Sequence, residues 1–225
     1  TLNKLYDKQM EERKAAGVTD EVLERSKAYG EELADVILEW SEADKYVETR
    51  YMQYKSPTRE GHPSNWEPTD FNQTPLEPFW GTHRTFFVKD GTQCDIDKAP
   101  AYGGKGDTTG ELYKQAKKVW TVDKTLTEEQ RTIAQYWADD PSETSTPAGH
   151  WMEIMGNFVK SENMKLDRAC ELYALVTTSM NDACITVWHT KYRVNLVRPK
   201  TVIQETLDSK WEPYVETPPF AGYTS

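Results

Sequence analysis

A lysine and an arginine follow the longest apolar helical pattern in the sequence. Apolar residues recur at three- and four-residue steps, which predicts a helix with one buried face. These residues are Ala169, Leu172, Tyr173, Val176, Met180, Ala183, Cys184, Val187 and Trp188. Lys191 and Arg198 follow Trp188 at offsets of three and ten residues and so continue the same face. Burying two uncompensated cations is costly, and an anion between them would remove that cost, so the spacing indicates an oxyanion site.

The same two side chains have a second interpretation that involves no ligand. Cations near the C-terminal end of a helix interact favourably with its dipole, and long side chains can reach solvent or pair with acids. Pro199 would end the helix and let Arg198 turn toward the site. Helical spacing alone leaves both interpretations open.

Four short elements lie in order along the second half of the chain. They are residues 137–140 (Trp-Ala-Asp-Asp), Lys191 with six residues before Arg198 and a proline, residues 218–220 (Pro-Pro-Phe), and a last stretch that ends on Ser225. This series resembles the vanadium-dependent haloperoxidase and type 2 phosphatidic acid phosphatase superfamily. The first motif of that superfamily is a lysine, six residues and Arg-Pro, and its second motif is Ser-Gly-His.

The resemblance extends over most of the chain. Residues 65–81 and 147–151 are similar to bacterial members of the superfamily in particular. These members have a largely helical fold made of a pair of bundles, so the resemblance implies an all-α fold. The length of 225 residues is compatible with one domain, and we expect a single helical domain over residues 1–225.

The resemblance also implies roles for individual residues. Lys191, Arg198 and Ser225 are the expected catalytic residues, which donate hydrogen bonds to the oxygens of the vanadate cofactor. Asp140 would orient a later arginine. The walls of the substrate pocket would be Trp137, Trp188, Pro218, Pro219 and Phe220.

The sequence departs from the family pattern near its end. Thr224 stands where proline is usual, and only the serine of Ser-Gly-His is present. By the family pattern, a glycine, a histidine, a later arginine and the axial histidine that binds vanadium lie beyond Ser225, so no metal ligand is expected in this chain. We expect a C-terminal segment of the same protein to complete the site and to dock on the helix that carries Trp188. The 225-residue fragment alone is expected to be inactive.

The resemblance leaves several functions open. Trp188 three residues before Lys191, and Phe220 five residues before Ser225, resemble the peroxidase branch. In that branch vanadate acts as a Lewis acid, and hydrogen peroxide oxidises a halide, here iodide or bromide, to hypohalous acid. Phosphate in the same cradle would instead serve a phosphomonoesterase (acid phosphatase). A third hypothesis is a binding module that sequesters oxyanions, or a helical scaffold.

Other polar patterns have simpler interpretations. The glycine-rich stretch 103–109 lacks the spacing of a phosphate-binding loop and no strand precedes it, so we interpret it as a turn. The four histidines lack the spacing of a protein-only metal site, and we predict no zinc. His150 at a probable helix start could titrate near a substrate, or it could cap or pack. His189 is predicted to face away from the apolar stripe.

Five helices and one long loop are expected to position these residues. The helices are predicted over 19–54, 113–119, 127–137, 151–160 and 164–195, with Thr127 and Gln130 as a capping box. Five prolines break regular structure within 55–98. An ordered loop is predicted there because six aromatic residues would be costly to leave in water, namely Trp66, Phe71, Phe79, Trp80, Phe86 and Phe87.

Composition restricts the partners. With 27 basic and 37 acidic residues, the net charge is -10, which disfavours nucleic acid and anionic membranes. The expected partners are hydrogen peroxide and halide, and a homo-oligomer stays open. The three cysteines are interpreted as free thiols. Free thiols occur in reducing compartments and also in exported bacterial proteins, and we expect a periplasmic or secreted protein.

Overall fold

The protein is helical. The computed structural model describes residues 1–70 and 72–223, which form eight α-helices, one 3₁₀ helix and two isolated β-bridges but no β-strand. This confirms the all-α prediction. The predictions made for Phe71, Thr224 and Ser225 lie outside the described residues. Within the described ranges, no helix has both the length and the apolar character needed to cross a membrane.

The chain divides into two compact units, Thr1–Lys45 and Tyr46–Ser225. Compactness alone does not measure independent folding, so the single domain expected over residues 1–225 stays a prediction. The first unit contains α1 (Leu2–Ala15) and α2 (Asp20–Glu42). The Thr19 side chain caps α2, so this helix begins where it was predicted, but it ends at Glu42 rather than near residue 54. Helix α1 was not predicted, because it has no buried residue and therefore no apolar face to recognise.

The second unit contains the remaining elements. They are α3 (Tyr46–Thr49), the 3₁₀ helix (Trp80–Thr82), α4 (Glu111–Asp123), α5 (Glu128–Ala138), α6 (Thr146–Ser161), α7 (Leu166–Val194) and α8 (Pro199–Thr206). The predicted capping box is present at the start of α5, where Thr127 and Gln130 bond to each other's main chain. Helices α4 and α6 are longer at both ends than predicted.

The main hydrophobic core of the second unit involves α4, α8 and the chain on either side of α8. Its buried members are Tyr102, Leu112, Ala116, Leu196, Val197, Val202, Ile203 and Trp211. Ile203 and Val202 have no exposed surface. Because residues 196–197 belong to this core, the chain immediately before α8 is fixed by packing as well as by hydrogen bonds.

The end of α7 differs from the prediction. The helix stops at Val194, and Asn195 adopts the left-handed conformation with φ 50°, which asparagine tolerates well. Arg198 is then the N-cap of α8, and Pro199 occupies the first turn, where its missing N–H costs nothing. Pro199 therefore starts a helix rather than ending one. Arg198 does not lie on α7, so the ten-residue helical offset from Trp188 was the wrong reason for placing it beside Lys191.

The buried face of α7 also differs from the predicted stripe. Its buried residues are Ala169, Asp182, Ile185, Thr186, Thr190 and Lys191. Three residues of the predicted stripe instead face an open groove of about 430 Å³ between α6 and α7, namely Val176, Met180 and Ala183. The groove is lined by Trp151, Leu175, Val176, Ser179, Met180 and Ala183. Apolar periodicity therefore identified a face of α7 that is mostly half-buried, and its middle part lies open in the groove.

The connection over residues 55–98 is non-helical apart from the 3₁₀ helix, as predicted. The Asp182 carboxylate of α7 accepts hydrogen bonds from the amides of Phe86, Phe87 and Val88 at 2.7, 2.6 and 3.0 Å. These bonds hold the pKa of Asp182 below its usual value despite its burial. Aromatic burial explains only part of the order, because Trp66 is fully buried whereas Phe87 is exposed.

Candidate oxyanion site

Main-chain hydrogen bonds fix the segment between α7 and α8. The amide of Trp66 donates to the carbonyl of Asn195 at 2.8 Å, and the amide of Val197 donates to the carbonyl of Ser64 at 2.7 Å. The loop over residues 64–66 thus pairs with residues 195–197 like a short piece of antiparallel ladder. Arg198 follows directly, so its backbone position is set by pairing with the loop over residues 64–66.

A second segment pairs with residues 196–198 through Gly222. Its amide donates to the carbonyl of Leu196 at 2.7 Å. A Cβ atom added at Gly222 would lie 2.8 Å from the carbonyl oxygen of Val197, closer than packing allows. Glycine is therefore needed for this close approach, which brings residues 218–221 next to Arg198.

Lys191 and Arg198 are both buried and lie against the same aromatic ring. Lys191 is 2% exposed and Arg198 is 7% exposed. The Nζ atom of Lys191 lies 4.8 Å from the centre of the Phe220 ring, and the guanidinium carbon of Arg198 lies 4.7 Å from it. The Trp188 ring contacts Phe220 at 5.2 Å between centres. The structure therefore brings together Trp188, Lys191, Arg198 and Phe220, as predicted, although α7 ends between the two cations.

Both cations donate to main-chain carbonyls, and Arg198 has one donor left over within the described residues. Lys191 Nζ donates to the carbonyl of Ala221 at 3.4 Å, and Arg198 Nη2 donates to the carbonyl of Pro218 at 3.3 Å. The buried Nε of Arg198 has no hydrogen-bond partner in the described residues. Arg198 also forms no ion pair with that part of the chain. A buried guanidinium with an unused donor favours an acceptor that carries negative charge.

Burial lowers the pKa of both groups, and the charge of Arg198 adds to the shift of Lys191. Burial, with a smaller effect from the charge of Arg198, lowers the pKa of Lys191 to about 8. Burial lowers the pKa of Arg198 to about 10, which still leaves it charged at neutral pH. A bound oxyanion would offset the cost of burying both charges, and it would supply an acceptor for the Arg198 Nε. The residues present therefore fit a tetrahedral oxyanion such as vanadate or phosphate.

The predicted wall residue Pro219 connects this site to a segment that sequence analysis missed. The carbonyl of Pro219 accepts a hydrogen bond from the amide of Leu76 at 2.9 Å. The carbonyl of Leu76 in turn accepts bonds from the Trp188 indole at 3.3 Å and from the Tyr192 hydroxyl at 2.6 Å. A main-chain contact of this kind has no residue signature, so no feature of the sequence could have identified Leu76.

Two further predicted site residues, Trp137 and His150, pack against each other. His150 Nδ1 lies 3.0 Å from both carboxylate oxygens of Asp139, and its ring stacks on Trp137 at 4.8 Å. Asp139 was not singled out in the sequence, although it lies beside Asp140. His150 is thus paired and packed, which is the simpler of its two interpretations. Trp137 is 52% exposed, and its ring contacts those of Tyr136, His150 and Trp151. Its role in a substrate pocket stays a prediction, as does the orienting role of Asp140.

The remaining polar patterns are accounted for locally. The Asp107 carboxylate accepts hydrogen bonds from the amides of Gly103, Thr109 and Gly110, so the glycine-rich stretch is a turn whose donors are already used. His189 Nε2 lies 3.6 Å from an oxygen of Asp95. Across residues 1–70 and 72–223, no cluster of three or more His, Cys, Asp or Glu side chains could hold a metal ion.

Comparison with known proteins shows where this chain belongs. No curated protein matches it. Among solved structures, it is similar to one described as the first bacterial vanadium-dependent iodoperoxidase, with 35% identity and a TM-score of 0.81. The alignment covers 91% of this chain and 50% of that one, so this chain spans about half the length of the iodoperoxidase.

The match to a family model falls on the candidate site. Residues 171–225 match the model described as the VCPO second helical-bundle domain. This range contains Trp188, Lys191, Arg198 and Phe220. The helical fold, the paired cations and both comparisons agree, and the chain belongs to the vanadium haloperoxidase family.

Proposed function

We propose that this chain carries the oxyanion-binding part of a vanadium-dependent haloperoxidase, which oxidises iodide with hydrogen peroxide to hypoiodous acid. The observation that carries the proposal is the buried pair of Lys191 and Arg198 on one Phe220 ring, with no acceptor for the Arg198 Nε among residues 1–70 and 72–223. Lys191 and Arg198 would hold vanadate, as the resemblance also implies for Ser225. Vanadate, when bound, would act as a Lewis acid toward hydrogen peroxide.

The residues of the chain would contribute binding, orientation and exclusion of water. Arg198 presents a planar fork of donors, and Lys191 presents a point charge. Both are fixed before a ligand arrives, because the Arg198 backbone is held from two sides and Lys191 lies on the last turn of α7. Donors held in this way need little reorganisation when negative charge binds. Phe220 and Trp188 cover the cations and keep bulk water away from them.

We also propose that further protein sequence completes the site. The iodoperoxidase that matches this chain is about twice as long as the aligned part, which supports a second set of site residues. The open apolar groove between α6 and α7 is consistent with a segment that packs there. In this proposal the second segment would supply the glycine, histidine and arginine donors and a histidine ligand for vanadium.

Iodide is the proposed halide, with bromide as the second choice. Iodide is the easiest of these halides to oxidise, so its oxidation requires the least activation of peroxide by the site. The name of the similar bacterial structure, an iodoperoxidase, supports the same choice. Chloride oxidation faster than iodide oxidation would contradict it.

The test is an assay of the full-length protein with orthovanadate, hydrogen peroxide and iodide. We expect vanadate-dependent formation of triiodide, and we expect Arg198→Ala to abolish it. Arg193→Lys is the control, because Arg193 is bonded to Asp95 and Ile96 rather than to the site. Absence of iodide oxidation at every pH would overturn the proposal. Phosphatase turnover that vanadate inhibits, without peroxidase activity, would show that the cradle serves a phosphomonoesterase.

A further inference from the structure

The main chain of Leu76 connects α7 to the loop that covers the two cations. Its carbonyl accepts hydrogen bonds from two α7 side chains one turn apart, the Tyr192 hydroxyl at 2.6 Å and the Trp188 indole at 3.3 Å. Its amide donates to the carbonyl of Pro219 at 2.9 Å. The carbonyl of Leu76 thus bonds to the α7 side of the candidate site, and its amide bonds to the loop that contains Pro219.

The residues at the other ends of these bonds lie close to the two cations. Pro219 lies between Pro218, whose carbonyl accepts a hydrogen bond from Arg198, and Phe220. The Phe220 ring lies against Lys191 and Arg198, and it also contacts the Trp188 ring. A displacement of Leu76 would therefore move the Phe220 loop and the Trp188 ring together.

The backbone next to Leu76 needs support to keep its conformation. Glu77 has φ 44°, in the left-handed region that residues other than glycine adopt at a cost. Prolines at positions 75 and 78 restrict the chain on both sides. Two of the three hydrogen bonds of Leu76 hold this strained segment against α7, and the third holds it against Pro219.

Tyr192 is suited to anchor that segment. Its ring packs edge-on against Tyr54 at 5.0 Å and against the fully buried Trp66 at 6.2 Å. Burial raises the pKa of the Tyr192 hydroxyl, so it stays protonated and can donate throughout the neutral range. At 2.6 Å, its bond is the shortest of the three that Leu76 makes.

We propose that Tyr192 is a positioning residue for the oxyanion site. By donating to the carbonyl of Leu76, it holds residues 75–78 on α7, and this segment in turn fixes Trp188 and the Pro219–Phe220 wall over Lys191 and Arg198. The proposal deepens the function proposed above and rests on it. Tyr192 does not touch the anion itself.

The test is Tyr192→Phe in the full-length protein, with Tyr54→Phe as a matched control. Both variants keep the ring and lose one hydroxyl, but the Tyr54 hydroxyl donates to Asn195 at 3.4 Å and not to Leu76. Two readouts are compared, the dissociation constant for orthovanadate and the ¹⁹F spectrum of protein labelled with 5-fluorotryptophan. The Trp188 resonance is assigned by its loss in Trp188→Phe.

We expect Tyr192→Phe to weaken orthovanadate binding about two- to tenfold, as for the loss of one hydrogen bond. We also expect it to shift or broaden the Trp188 resonance, while Tyr54→Phe changes neither readout. An unchanged resonance, or unchanged binding, in Tyr192→Phe would overturn the proposal. If the unsubstituted protein does not bind orthovanadate, the proposed function fails, and the ¹⁹F comparison still decides whether Tyr192 positions Trp188.

A second measurement keeps the test valid if Tyr192→Phe does not fold. In the unsubstituted protein, amide hydrogen exchange at Leu76 reports on its bond to Pro219. Orthovanadate should slow this exchange, because the ligand and the Leu76 segment stabilise the same wall. Exchange at Leu76 that is indifferent to saturating orthovanadate would overturn the proposal.

Discussion

Lys191 is a buried cation beside a second buried cation, and this placement ties the stability of the fold to pH. Its pKa falls to about 8 in the folded chain from a usual value of 10.5. Above the folded pKa, the folded protein has released this proton while the unfolded protein still binds it. Stability therefore rises with pH wherever the unfolded state holds more protons.

We predict that the free energy of unfolding increases between about pH 8 and pH 10, by up to about 2 kcal/mol from Lys191. Above that window the buried tyrosines oppose the effect, because their raised pKa values keep protons on the folded state. Urea denaturation at several pH values measures the slope. Lys191→Met should lose the increase, and a variant with the same slope as the unsubstituted chain would show that another group is responsible.

Arg198 should contribute to oxyanion binding through its geometry as well as its charge. Its planar fork can bind two oxygens at once, which lysine cannot do. We predict that Arg198→Ala weakens orthovanadate binding by about 10- to 100-fold, as for a lost charge-assisted hydrogen bond, and that Arg198→Lys recovers only part of the loss. Calorimetric titration of the full-length protein measures both. Equal binding by the lysine and arginine forms would contradict a role for the fork.

At the scale of elements, the site depends on three pieces of irregular chain that meet beside the end of α7. Residues 64–66, the segment around Leu76 and residues 218–222 each contribute main-chain hydrogen bonds. Asp182 anchors a fourth stretch on α7 through the three amides of residues 86–88. Loops held by main-chain bonds and a buried carboxylate can position donors as firmly as helices do.

Gly222→Ala tests this dependence on close packing. The added Cβ would meet the carbonyl oxygen of Val197, a main-chain atom that cannot turn away. We predict a loss of about 1 to 3 kcal/mol of stability and weaker orthovanadate binding, because residues 218–221 must move away from Arg198. Gly106→Ala is the control, since open space surrounds that position. Denaturation curves that coincide for Gly222→Ala and the unsubstituted chain would contradict the prediction.

The sequence predicted the helices that have an apolar face or a capping signature, such as α5 and α7. It could not predict α1, which buries nothing, or the break after Glu42, which no proline or glycine marks. It placed Lys191 and Arg198 together correctly, but the reason lies in Asn195 and in pairing between distant segments. Such pairing is long-range and made by main-chain atoms, so it leaves no periodic pattern.

At the scale of the whole molecule, the groove between α6 and α7 presents apolar side chains to solvent. Trp151 and Leu175 on its walls are 46% and 52% exposed. The net charge of -10 keeps the surface as a whole acidic, so the groove stands out as an apolar patch.

We predict that the 225-residue chain binds the dye ANS at this groove and that Leu175→Glu strongly reduces the fluorescence, because a carboxylate makes the wall of the groove polar. Leu38→Glu on α2 is the matched control, since Leu38 is exposed but does not line the groove. An equal reduction by both substitutions would mean that the dye does not report on the groove.

Leu76 participates in the proposed site through its peptide groups, and its side chain is 41% exposed. Every residue except proline has the same amide and carbonyl, so substitutions here should pass without effect provided that the chain still turns at Glu77. Many amino acids can therefore occupy position 76 without changing the structure around it. A ranking of residues by how rarely they change among relatives would overlook it.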